Sequence, residues 1–193
     1  MKIKSLFIYA TLLALICSII FFFVPNAIKL FSFSGISFFK GEVWRIITFT
    51  VTHISINHFI ENIVAIGAVA FLSYEFGLRG KEFITYFFAI SITVAIADAF
   101  LFPSLIIAGA SLGLYGLIGV LSIRGSNFMP KLILIPLLGS SIFLKYVLTL
   151  LNCPSCSPNI SQVLFHFSGF VVGICLVTLP KRFKSKRSIL KEN

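Results

Sequence analysis

The chain is built from apolar runs about as long as the roughly 20 residues a helix needs to cross a bilayer, and this constrains its fold more than any other feature. Leu6–Val24 has 19 residues and no charge. Leu105–Ile123 and Ile160–Leu179 also carry none, while Phe83–Phe102 holds only Asp98 and Leu132–Leu151 only Lys145. A sixth run, Ile54–Tyr74, is less pure and contains His58, Glu61 and Asn62. Backbone polar groups find no water in hydrocarbon, so each run is expected to be an α-helix. A β-barrel would need alternating polarity, which these runs lack. The expectation is an all-α membrane protein, a six-helix transmembrane bundle forming one domain over residues 1–193. The helices are placed near 6–24, 54–74, 83–102, 105–123, 132–151 and 160–179, with a basic tail at 180–193. Lys2 and Lys4 before the first run resemble a signal peptide, but the run is long and no small-residue cleavage site follows Val24, so it reads as a retained helix.

Composition excludes the soluble alternatives. With 58% hydrophobic residues, 11% charged and 23 Phe, a water-soluble domain of 193 residues would be left with a greasy surface. The net charge of +10 suggests nucleic acid until the charges are located, between the apolar runs and at the ends. Of the 16 Lys and Arg, 12 fall at the N-terminus, in the second-to-third and fourth-to-fifth links and in the tail. Lys29, Lys40, Arg45 and Lys145 fall on the other side. This bias puts both termini in the cytoplasm, with the tail as an anchor near anionic lipid. The second, fourth and sixth helices then all run inward from the outer face.

Polar groups at membrane depth are costly and mark candidate functional residues. His58 and Asn62 are spaced i, i+4 and share a helix face. Ser111 and His166 each lie six residues into their runs, roughly 9 Å below the outer end. Three helices of one direction therefore bring four polar side chains to one layer, consistent with a wet pocket opening outward. Ser111 is surrounded by Gly109, Gly113, Gly116 and Gly119, and His166 is followed by Gly169 and Gly173 on its own face. Small residues let helices approach closely in lipid. An imidazole within reach of a hydroxyl can turn it into a nucleophile. Tyr115, at i+4 from Ser111, can stack on that imidazole, and His58, Asn62 and the Ser111 backbone N–H can donate to an oxyanion.

Three segments together resemble the rhomboid family of intramembrane serine proteases: Trp44-Arg45 followed by His53, His58 and Asn62; Gly109-Ala110-Ser111 followed by Tyr115, Gly116 and Gly119; and His166 with Gly169 and Gly173. The resemblance implies Ser111 as nucleophile and His166 as base, with no metal or cofactor. His58, Asn62 and the backbone from Gly109 to Ser111 would form the oxyanion site, with Tyr115 and Gly169 in support. It also implies a membrane-embedded loop over 29–45 and entry of a transmembrane substrate beside the fifth helix. The partners expected are a membrane-protein substrate and the bilayer, not nucleic acid, and a bacterial inner membrane suits a minimal six-helix form. The rhombosortases, a compact branch of the family, are similar in size. The family usually has Gly directly after the serine; here it is Leu112. That departure supports the alternative of a catalytically impaired, helix-binding member.

Other residues take blander readings. His53 falls about 140° from His58 on a helix and reads as a loop anchor. Asp98 and Lys145 either pair or reach the interface. Glu61 points away from the Asn62 face and has no assigned role. Cys17 and Cys175 read as packing residues. Cys153 and Cys156 form a disulfide or remain thiols. A metal or haem site from His53, His58 and His166 lacks suitable spacing, and a transporter would show repeat symmetry.

Overall fold

The computed structural model describes residues 2–152 and 160–189. Cys153 and Cys156 lie outside the described residues, as does the side chain of Lys145 with its possible pairing. The described residues are almost entirely helical: α1 (Lys2–Phe23), α2 (Ala27–Phe31), α3 (Gly35–Phe39), α4 (Arg45–Thr48), α5 (Ile56–Glu75), α6 (Gly80–Leu101), α7 (Ser111–Arg124), α8 (Lys131–Asn152) and α9 (Ile160–Ile189). Four of these contain segments long and apolar enough to cross a membrane: Ser5–Phe23, Ile56–Glu75, Gly80–Leu101 and Ile160–Thr178.

α1 shows how an all-apolar helix can still have two faces. Leu6, Ala10, Leu13 and Cys17 recur at helical spacing and are buried. Ile8, Leu12, Leu15 and Ile19 recur at the same spacing and are exposed. Both stripes are apolar because one meets protein and the other meets lipid. Cys17 packs as expected, whereas Cys175 is exposed on the outside of α9.

α7 sits at the centre, packed against α5, α6, α8 and α9. Ten of its 14 residues are buried, which explains why it is apolar on all sides. Its glycines set the packing distances. A Cβ on Gly113 would fall 2.6 Å from the Ser91 hydroxyl of α6. One on Gly119 would collide with the Phe170 carbonyl of α9, and one on Gly173 with the Gly116 carbonyl of α7. The two helices therefore meet backbone to backbone, as small residues permit.

Two sequence-based boundaries are corrected. The run 105–123 is not one helix, because residues 102–110 are non-helical, with turns on either side of an isolated bridge at Ile107. Phe33 and Ile107 exchange backbone hydrogen bonds of 2.9 and 2.8 Å, and the Gly109 N–H donates to the Phe49 carbonyl at 2.8 Å. Gly109 has φ +116°, which an L side chain rarely adopts, so the helix begins only at Ser111. The basic segment after 179 does not begin as a separate tail, since α9 continues to Ile189.

The segment between α1 and α5 is held by side-chain bonds to carbonyls. Arg45 donates to Ser32 at 2.9 Å and to Lys29 at 2.8 Å, and also pairs with Glu42. The Trp44 indole N–H reaches Leu30 at 3.3 Å. Gly35 fits where a Cβ would meet Ala99 and Pro103 of the α6 end. At the opposite end of the bundle, Arg124 pairs with Glu82 at 2.9 Å and ties α7 to α6. Asp98 is only 7% exposed and therefore does not reach out to an interface.

His53 lies in the link before α5, so the helical angle that separated it from His58 does not apply. The two rings meet edge to face with centroids 5.4 Å apart, and His53 also packs edge-on against Phe59. Burial, with His58 beside it, holds His53 well below the usual imidazole range, at about 4. The folded protein thus resists a proton that the unfolded chain accepts near 6.5. This contribution to stability is fully present above pH 6.5 and is lost as pH falls toward 4.

Three outcomes are expected. Gly173→Ala forces a Cβ into the Gly116 carbonyl and should destabilise the protein by about 3 kcal/mol. Gly67→Ala, where no atom lies within 4 Å, should be neutral or slightly stabilising in the same thermal unfolding assay in detergent. His53→Gln should flatten the loss of stability between pH 6.5 and 4; an unchanged slope contradicts the assignment.

Candidate active site

The break before α7 fixes Ser111. Gly109 turns the chain through its positive φ, Ala110 serves as N-cap, and Ser111 opens the helix. The N–H groups of a first helical turn have no intrahelical acceptor, and the helix dipole adds positive character there. The hydroxyl of Ser111 therefore emerges beside donors aimed at its own surroundings.

α9 brings His166 to this point. Its Nε2 lies 3.1 Å from Ser111 Oγ, although 55 residues separate them in sequence. The Tyr115 ring, one turn below Ser111, stacks on the imidazole with centroids 4.3 Å apart and planes inclined by 28°. That stacking restricts the ring plane and leaves its edge directed at the hydroxyl.

α5 supplies the third wall. A Cβ on Gly109 would lie 2.6 Å from His58 Cε1 and 2.9 Å from its Nε2, so the His58 ring occupies the space this glycine leaves. Asn62 is 3% exposed, and its Nδ2 donates to the His58 carbonyl at 2.7 Å. His58, Asn62, Gly109, Ser111, Tyr115 and His166 line one cavity of about 290 Å³. Every site residue read from the sequence except Gly169 lies on this wall.

Gly169 acts from behind. Its position packs against the Leu112 carbonyl, and a Cβ there would stand 3.4 Å from Leu112 Cδ1. Leu112 is 2% exposed; its carbonyl takes the space that Gly169 leaves on α9, and the residue also borders the cavity. The contact of Ser111 with His166 persists beside the leucine.

Sequence reasoning missed several residues. Glu61 does not point away from the Asn62 face; it lines the same cavity. Ser141 of α8 and Ser161 and Gln162 of α9 join it there. A helix wheel for α5 puts Glu61 about 100° from Asn62, within the arc that a cavity of this width spans. His53, His58 and His166 do not converge, since His53 lies behind His58 and next to Phe59.

The Rhomboid domain family model matches residues 40–182, a stretch that contains Trp44, Arg45, His58, Asn62, Ser111 and His166. Comparison with curated proteins gives no significant match. With most of its length matched and four helices suited to crossing a bilayer, the chain is an integral membrane protein and belongs to the rhomboid family.

Proposed function

We propose that the chain is an intramembrane serine endopeptidase that cuts transmembrane segments of other membrane proteins. The observation that carries this reading is the 3.1 Å approach of His166 Nε2 to Ser111 Oγ at the start of a buried helix. Ser111 Oγ attacks the scissile carbonyl while His166 Nε2 takes its proton. The resulting oxyanion is met by the N–H groups of the first α7 turn and by donors from His58 and Asn62. His166 then gives the proton to the leaving amine, which departs as the carbonyl re-forms on Ser111. Water, deprotonated by His166, attacks the acyl-enzyme, and the new carboxylate leaves as Ser111 regains its proton.

A dyad suffices because Tyr115 orients the imidazole from its face, where a triad would use a carboxylate from its edge. A helical substrate carbonyl is shielded and already hydrogen-bonded, so the segment must unwind before attack. Small or helix-breaking residues near the cut are therefore preferred, which also suits a cavity of about 290 Å³. The chain acts as a single membrane domain. The Lys and Arg bias supports cytoplasmic termini with the site toward the outer face, and a minimal six-helix form suits a bacterial plasma membrane.

Ser111→Ala and His166→Ala should each lower cleavage of a reconstituted transmembrane substrate by at least about 10³-fold. His58→Ala and Asn62→Ala should lower it by about 10²-fold or less, through lost oxyanion donors. Labelling by a fluorophosphonate probe should disappear in Ser111→Ala. Cleavage retained without Ser111 rejects the nucleophile. A folded wild-type protein that neither cleaves nor labels supports the helix-binding alternative.

A further inference from the structure

The cavity beside Ser111 has one formally charged residue among its described lining residues, Glu61. It stands one position before Asn62 and three after His58, so the turn of α5 that presents the amide also presents a carboxylate to the cavity. Glu61 is exposed rather than packed away, and it lines the same cavity as Tyr115 of α7. Besides the residues around Ser111 and His166 already described, the lining offers neutral polar groups, Ser141, Ser161 and Gln162, or apolar ones.

A carboxylate within a membrane helix is expensive, and a cavity wall is where such a residue interacts with whatever enters. In a cleft of low dielectric it favours a cation and disfavours a second anion. Lys and Arg occur at the ends of transmembrane segments, where their apolar stems let the charged head reach the interface. A substrate cut near such an end brings these side chains close to the scissile bond.

We propose that Glu61 is a specificity-determining residue that selects substrates carrying Lys or Arg beside the scissile bond. The proposal rests on the proteolytic reading of the same cavity. The cation pairs with the Glu61 carboxylate across the cavity while the backbone lies over Ser111. Aspartate or glutamate at the same substrate position is rejected by like charge.

The test uses the full chain in liposomes and a transmembrane substrate whose cut has been mapped by mass spectrometry. Single positions flanking the cut are changed to Lys, Gln or Glu. At one position or more, kcat/KM for Lys should exceed that for Gln by about fivefold, with Glu lowest. In Glu61→Gln the Lys-to-Gln ratio should fall to about one, and in Glu61→Lys the order should reverse to favour Glu. The same peptides are also bound to Ser111→Ala, where fluorescence anisotropy should show the Lys preference, and to Ser111→Ala with Glu61→Gln, where it should vanish. Ratios unchanged by Glu61→Gln, or an equal loss for all three substrates, overturn the proposal. A Glu61-dependent binding preference without wild-type cleavage sinks the proteolytic reading and leaves cation selection standing. Cleavage with neither assay sensitive to Glu61 does the reverse.

Discussion

α7 and α9 touch through their backbones. Gly116 and Gly119 face Gly173 and Phe170 so closely that any Cβ at these glycines of the pair would strike a neighbouring atom. Lipid is as apolar as the helix surfaces, so burying methyl groups gives little drive for helices to associate, and close packing has to supply it. The same contact sets the distance between the two ends that matter. Ser111 opens α7, His166 lies near the start of α9, and Gly169 makes room for the Leu112 carbonyl between them. If the helices moved apart by the width of a methyl group, the 3.1 Å contact would be lost. The stacking of Tyr115 on His166 depends on the same approach.

The outer part of the site depends on a second constraint, the non-helical descent of residues 102–110. Starting α7 partway down leaves the unpaired N–H groups of its first turn inside the protein, where an oxyanion can use them. A continuous helix through this region would spend those donors on its own carbonyls. Phe33 and Phe49 hold the non-helical segment in place by backbone bonds, which connects the link held by Trp44 and Arg45 to Ser111. The link therefore serves as a scaffold for the start of α7.

Most of the bundle was legible because hydrophobic run length reports helices in lipid directly. The shared cavity of His58, Asn62, Ser111 and His166 was legible because they are rare polar residues in those runs, with glycines at helical spacing beside two of them. The start of α7 was not legible. Residues 105–110 are as apolar as the helix that follows, and only Pro103 and Gly109 hint at a break. The angle drawn between His53 and His58 did not apply because it was measured on a helix that starts later, at Ile56, whereas His53 lies in the link. Glu61 was misread because α5 faces a cavity broad enough to take in more than one stripe of the helix.

The measurement that addresses the dyad most directly is the pH dependence of the rate at which a fluorophosphonate reacts with Ser111 in the folded protein. If His166 removes the hydroxyl proton, the rate should rise with pH through a single ionisation. Replacing His166 with Gln should then abolish both the ionisation and most of the rate. A rate independent of pH, or the same profile in His166→Gln, would mean that the imidazole beside the serine does not activate it.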